Sequence, residues 1–100
     1  MAEIKNIIAS LGLNEKNGLF FVEDSHWKTK TSFPNRVKRL IEYKIKPKAF
    51  FCFDNKPLLL FFENPSNKEK LYEAIWNFNE SPIAIIIENN CVEIYNGLSG

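Results

Sequence analysis

Two uninterrupted apolar runs, residues 49–53 and 58–62, most constrain how this chain of 100 residues can fold. Runs this uniform are typical of central strands that are covered on both faces of a sheet. The four polar residues between them, 54–57, predict a tight hairpin turn. Ser66 with Glu69 has the spacing of a capping box and predicts a helix over residues 67–79. A third buried strand at 83–87 and an edge strand of alternating polarity at 92–95, joined by a turn at Asn89-Asn90, complete a strand–strand–helix–strand–strand unit.

The first half of the chain carries weaker signals. Apolar residues at helical spacing predict a helix over residues 2–11, and an aromatic run predicts a strand over 19–22. Residues 25–32 are interpreted as a loop, with a short strand around Trp27 as the alternative. Pro34 suits the first turn of a helix and Pro47 ends it, so we expect a helix over 34–44. The sum is one α/β (α+β) domain, residues 1–100, with a mixed central sheet of about 4–5 strands and about 3 helices.

The charge is unevenly distributed along the chain. Residues 28–48 contain eight lysines and arginines against Glu42 alone, a local balance of +7, although the whole chain carries only +1. Such a segment is typical of a surface that faces a polyanion, and equally of a solvated helix face with its adjoining loops. Both interpretations stay open from the charge alone.

Several classes of function lack their residues. The only histidine is His26, the four glycines are scattered, and no Cys/His cluster has the spacing of a zinc site, so we expect no metal and no cofactor in this domain. Cys52 and Cys91 lie inside apolar runs and are predicted to be reduced and buried. No apolar run approaches the roughly 20 residues that cross a bilayer, so we expect a cytoplasmic protein without a membrane partner.

Residues 33–98 resemble a known group of domains. The resemblance rests on the order of elements and on several short motifs: Phe33-Pro34, Pro47, Lys56-Pro57, Glu63, Trp76-Asn77, Ser81-Pro82 and Ile94-Tyr95-Asn96-Gly97. The segment looks like the nuclease-like N-terminal domain of type I restriction subunits, and still more like the domain ahead of some adenine-specific (N-6) DNA methylases. The resemblance implies a restriction-endonuclease-like fold and a fragment of a longer methylase, with S-adenosylmethionine bound only by a downstream domain.

Active nucleases of that superfamily hold a divalent metal between an aspartate that follows a proline and the glutamate of a Glu-x-Lys motif. The resemblance maps the aspartate position to Lys48, and it maps the Glu-x-Lys motif to Glu63 and Pro65. A cation at a ligand position repels Mg²⁺. Lys48 and Glu63 are therefore interpreted as a vestigial site, with no catalytic residue, although Lys68 or Lys70 could supply a migrated lysine.

Three functions remain open from the sequence. The first is a non-catalytic domain of a restriction–modification methylase that binds DNA weakly and without sequence preference. The others are a divergent metal-dependent nuclease and a module that docks a restriction or specificity subunit. For the first, the predicted contacts to DNA phosphates are the cations of the basic segment near the predicted strand entry: Arg36, Lys38, Arg39, Lys46 and Lys48.

Overall fold

A computed structural model describes residues 2–29, 33–38, 45–53 and 56–97, and within these ranges five strands form one mixed sheet. Their order across the sheet is their order along the chain, with β3 and β4 parallel and the other neighbours antiparallel. The strands are β1 (Leu19–Phe21), β2 (Ala49–Phe51), β3 (Leu59–Glu63), β4 (Ile83–Glu88) and β5 (Cys91–Asn96). The predicted α+β class, the five-stranded mixed sheet and the central antiparallel pair β2–β3 are confirmed.

Three α-helices accompany the sheet in the described ranges: α1 (Ala2–Ser10), α2 (Asp24–Thr29) and α3 (Lys68–Asn77). The α3 helix makes the crossover that the parallel pair β3–β4 requires. Its first turn is capped by Asn67, whose side-chain oxygen accepts a hydrogen bond from the Lys70 N–H at 3.1 Å. The predicted cap at Ser66 was therefore wrong by one residue.

The sheet is covered on both faces, as the uniformly apolar strands predicted. Because side chains alternate along a strand, each strand supplies both layers of the core. The layer under α1 contains Ile4, Ile8, Leu19, Ala49, Phe61, Ile85 and Ile87. The layer under α3 contains Leu71, Ile75 and Phe78 of the α3 region with Phe50, Leu60, Phe62, Ala84 and Ile86 of the sheet, and Phe33, Val37, Ile45 and Leu58 complete it.

The interpretation of residues 25–32 as a loop was wrong where the structure describes them, because α2 occupies Asp24–Thr29. His26 helps to start this helix: its Nδ1 accepts a hydrogen bond from the Glu23 N–H at 2.9 Å. Trp27 then packs edge-on against the buried Phe33, with ring centroids 5.2 Å apart. Both contacts are local, between residues three and six positions apart, but residue spacing in this segment gave no sign of them.

The helix predicted over residues 34–44 is seen only at its start, as a 3₁₀ turn, Asn35–Val37; residues 39–44 lie outside the described ranges.

Gly18 lies at a position where the backbone is tightly constrained. Its φ is +117°, and a Cβ added to it would come within 2.8 Å of the carbonyl oxygen of Cys52. Glycine is required at this position because it tolerates positive φ and leaves room for the neighbouring backbone.

The cysteine prediction was half wrong. Neither cysteine forms a disulfide, but Cys52 is half-buried and Cys91 is exposed. Cys91 follows the turn at Asn89-Asn90 and is the first residue of β5. This strand is the last one of the sheet in the described ranges, so it has a neighbouring strand on one side only. The predicted hairpin turn is confirmed, with φ of 51° and 63° at the two asparagines. None of the helices in the described ranges has the length and apolar character needed to span a bilayer.

Candidate nucleic-acid interface

Three of the five predicted DNA contacts, Lys38, Lys46 and Lys48, have exposed side chains. Lys38 directly follows the 3₁₀ turn, while Lys46 and Lys48 lie on either side of the buried Pro47, just before β2. At the entry to the sheet, the side chains therefore alternate: Lys46 and Lys48 are exposed to solvent, and Pro47 between them is buried. Arg39 lies outside the described ranges.

Arg36 is committed to contacts within the protein. Its Nε donates to Glu80 Oε1 at 2.8 Å, and its two terminal nitrogens donate to the carbonyl oxygens of Phe53, at 2.8 Å, and Lys56, at 3.0 Å. The hydrogen bond to Glu80 is the main reason why the pKa of Arg36 is raised above its ordinary value. The guanidinium thus ties the connection between β2 and β3 to the chain after α3. This role was not predicted from the sequence, and Arg36 is no longer among the proposed phosphate contacts.

Lys48 and Glu63 lie at the same end of neighbouring antiparallel strands. Lys48 precedes β2, where its N–H donates to the Phe61 carbonyl at 2.8 Å and its own carbonyl accepts from the Val22 N–H at 2.9 Å. Glu63 is the last residue of β3 and is half-buried. A cation and a single carboxylate therefore mark the place where the resemblance implies two metal-binding acids. Within the described ranges, no group of three or more His, Cys, Asp and Glu side chains is arranged to hold a metal ion.

Lys68, one candidate for a migrated nuclease lysine, belongs to a different cluster. Its Nζ lies 3.2 Å from Glu88 Oε1 and 3.2 Å from Glu93 Oε1. Glu88 shares the α3 face of the sheet with Ala84 and Ile86 by strand alternation, whereas Glu63 follows Phe61 on the α1 face. Lys68 is therefore an ion-pair partner that attaches α3 to the last two strands.

Tyr72 extends this cluster, because its hydroxyl donates to Glu93 Oε2 and its ring lies 4.7 Å from that of Tyr95. The hydrogen bond from Tyr72 is the first cause of the lowered pKa of Glu93, and Lys68 lowers it further. The same bond raises the pKa of Tyr72. The two acids raise the pKa of Lys68 through their hydrogen bonds. Every charge in the cluster has an opposite partner, which is typical of a structural contact between α3 and β5.

A cleft of about 500 Å³ opens on the α3 face of the sheet. Ile45 and Lys46 line it from the segment before β2, and α3 lines it from the other side with Lys70, Leu71, Glu73, Ala74 and Asn77. Phe62, Pro65, Ser66 and Asn67 complete the lining. The lining combines apolar and polar side chains, and it includes two exposed lysines from separate elements, Lys46 and Lys70. Lys70 was absent from the predicted set of cations.

A second groove, of about 590 Å³, lies between α1 and β1 on the opposite face. Its lining includes Lys5 and Lys16, both exposed, together with Glu15. In the described part of the chain, the grooves on the two faces of the sheet each have two lysines and one glutamate among their lining residues. This symmetry supplies a natural control for experiments on the α3 face.

Comparison of the chain with protein-family models, with curated proteins and with solved structures finds no match. The fold and the placement of the lysines are therefore the basis for a functional proposal. They define an α+β domain with a mixed five-stranded sheet and a cationic cleft beside its central strand.

Proposed function

We propose that this chain is a non-catalytic domain that binds the DNA backbone weakly and without sequence preference, and that it helps to position an adenine-specific methylase in the cytoplasm. The observation that carries the proposal is the cleft on the α3 face, whose lining includes Lys46 and Lys70. Lysine side chains bind phosphates as flexible point charges, which suits contact with a backbone rather than with bases.

Two exposed lysines of the cleft lining, Lys46 and Lys70, and two exposed lysines elsewhere in the chain, Lys38 and Lys48, set the expected strength. Lys38, Lys46, Lys48 and Lys70 are four exposed cations, and Glu73 in the lining offsets part of their charge. Binding of this kind is of order 10⁻⁴–10⁻⁶ M at physiological salt, and each neutralised phosphate contributes a slope of about −0.9 in log K against log salt. We therefore expect micromolar or weaker affinity that falls steeply between low and physiological salt.

The same residues argue for binding without cleavage. Lys48 occupies the position of a metal-binding acid, Pro65 occupies the position of the lysine, and Lys68 is ion-paired with Glu88 and Glu93. Two-acid sites hold the metal that activates water in such chemistry. The proposal therefore assigns this domain to positioning and leaves methyl transfer to another part of the methylase.

Fluorescence anisotropy with a labelled duplex, titrated at several salt concentrations, tests the proposal. Replacing Lys46 and Lys70 together by alanine should weaken binding to all sequences alike and flatten the salt slope by about 2 units. The matched control replaces Lys5 and Lys16, which line the groove on the opposite face, and should leave the slope unchanged.

Two outcomes would reject the proposal. One is an equal loss of affinity in both double variants, which would indicate a general charge effect rather than an interface. The other is no binding by the parent chain even at low salt. That second result would favour the docking of a restriction or specificity subunit, which the sequence left open.

A further inference from the structure

The outer edge of β5 is open in the part of the chain that the structure describes, since β5 is the last strand in the sheet order. The two-residue turn at Asn89-Asn90 makes Glu88 and Cys91 the hydrogen-bonded pair that closes the hairpin. Hydrogen-bonded pairs then recur at every second residue, and the bond from the Gly97 N–H to the Pro82 carbonyl, at 3.0 Å, follows the same pattern. The backbone groups of Val92 and Ile94 therefore point away from β4.

This edge lacks the features that normally prevent edge-to-edge association. Natural edge strands are kept short, or they carry lysine, proline or a bulge. The strand β5 has six residues with neither lysine nor proline, and it pairs with β4 in continuous register. Its one charged residue, Glu93, is bound by Lys68 and Tyr72. The opposite edge strand, β1, has only three residues.

Exposed apolar side chains concentrate at the same edge. Val92 and Ile94, 50% and 69% exposed, stand on the α1 face of β5. On the α3 face, Trp76 is 48% exposed and lies one helical turn beyond Tyr72, whose ring contacts Tyr95. Of the five large apolar side chains that are exposed in the described ranges, two therefore belong to β5 and a third, Trp76, belongs to the helix that contacts it.

We propose that β5 pairs in antiparallel orientation with β5 of a second copy of this chain, with Ile94 opposite Ile94. A two-fold axis brings identical residues together, so the register determines which residue faces itself. A register centred on Glu93 would set two carboxylates directly opposite, which is unfavourable. A register centred on Tyr95 would leave only three residues of each strand overlapping. Centring on Ile94 keeps five residues paired and sets Glu93 opposite Tyr95.

The resulting sheet runs continuously through both copies, and its hydrogen-bonding pattern matches the outward backbone groups of Val92 and Ile94. The two Ile94 side chains stack on the α1 face. A peptide of another sequence would use the same backbone groups but would not need the self-matching register. The second copy is favoured because the register that satisfies the backbone also avoids a clash of charge.

Sedimentation velocity over a range of protein concentrations, without DNA, tests this pairing independently of the proposed function. The mass should move from 11.6 kDa toward twice that value as concentration rises. Ile94→Lys would place two like charges opposite each other and should weaken dimerisation by about tenfold or more. Leu11→Lys is the matched control, because Leu11 is 51% exposed but lies outside β5, and it should leave dimerisation unchanged.

Amide hydrogen exchange locates the interface. The Ile94 amide should exchange more slowly as concentration rises, and this dependence should vanish in Ile94→Lys. Val92→Lys should weaken dimerisation as well, which keeps the test valid if one variant folds poorly. A monomer at about 1 mM, a dimer unaffected by Ile94→Lys, or an Ile94 exchange rate independent of concentration would each overturn the proposal.

Discussion

Replacing Arg36 by alanine removes three hydrogen bonds at once. The two bonds to the carbonyl oxygens of Phe53 and Lys56 are exposed, so water can replace them and each contributes about 0.5–1.5 kcal/mol. The ion pair with Glu80 is about one-third exposed on both sides and contributes about 1 kcal/mol or less. Together the loss is about 2 kcal/mol of unfolding free energy, which lowers the Tm of a domain this size by roughly 8–16 °C.

Thermal unfolding followed by circular dichroism measures this loss directly. Arg36→Lys keeps the charge but cannot reproduce the planar fork, so it should lose most of the same stability. Lys38→Ala is the control: Lys38 is an exposed neighbour, and its replacement should change the unfolding free energy by less than about 0.5 kcal/mol. A double-mutant cycle with Glu80→Gln should give a coupling energy below about 1 kcal/mol.

The same variant separates a structural role from DNA binding. Well below its Tm, Arg36→Ala should retain the parent salt slope in anisotropy titrations, because the guanidinium serves the protein's own carbonyls. An unchanged Tm would show that these three bonds contribute nothing. A slope flattened by about 0.9 would show that Arg36 contacts a phosphate after all.

Three further results are expected. Gly18→Ala should cost more unfolding free energy than Gly12→Ala in urea denaturation, because both glycines have positive φ but only Gly18 has backbone within 2.8 Å of an added Cβ. Incubation of the chain with plasmid and Mg²⁺ or Mn²⁺ should leave the plasmid intact. Nicking that Glu63→Gln abolishes would contradict the interpretation of Lys48 and Glu63 as a vestigial site. The stability supplied by Glu93 should be present above its unfolded pKa and should decline as pH falls through its lower folded pKa. The stability supplied by Tyr72, whose folded pKa is raised, should decline only at high pH. Glu93→Gln should remove the decline at acidic pH, and a pH profile of urea unfolding that Glu93→Gln leaves unchanged would contradict this.

The sheet was predictable from the sequence because its signals are local. A strand buried on both faces is apolar throughout, and β3 and β4 show this pattern. The Asn89-Asn90 turn was equally visible, since both residues must adopt positive φ in a two-residue hairpin. Exposed Cys91 was mispredicted because free cysteine is usually buried, although the alternating polarity of residues 92–95 indicated an edge strand.

The role of Arg36 was not predictable, because its three partners lie 17, 20 and 44 residues away along the chain. A basic residue in a basic segment carries no sign of such contacts. Lys70 could have been found: it begins a helix face with Glu73, Ala74 and Asn77 at positions i+3, i+4 and i+7. A small residue on an otherwise polar face indicates a shallow groove, and that groove is the cleft at the candidate interface.

The attachment of α1 has a consequence for shortened forms of the chain. Among the α1 side chains that the structure describes, Ile4 and Ile8 are buried in the core and Ile7 is partly buried against it. Each fully buried aliphatic side chain contributes about 1.5–3 kcal/mol, so these two side chains together supply about 3–6 kcal/mol of attachment. Removing residues 2–13 should therefore leave the rest of the sheet intact but strip one face of its cover.

The uncovered face would not resemble an ordinary surface. Phe61, Ile85 and Ile87, now buried, would join Val92 and Ile94 in one apolar expanse across the outer half of the sheet. An apolar patch of that extent promotes irregular self-association. A chain trimmed at its N-terminus should bind hydrophobic dyes and precipitate, instead of stopping at a defined pair, so α1 acts as the element that keeps association confined to an edge.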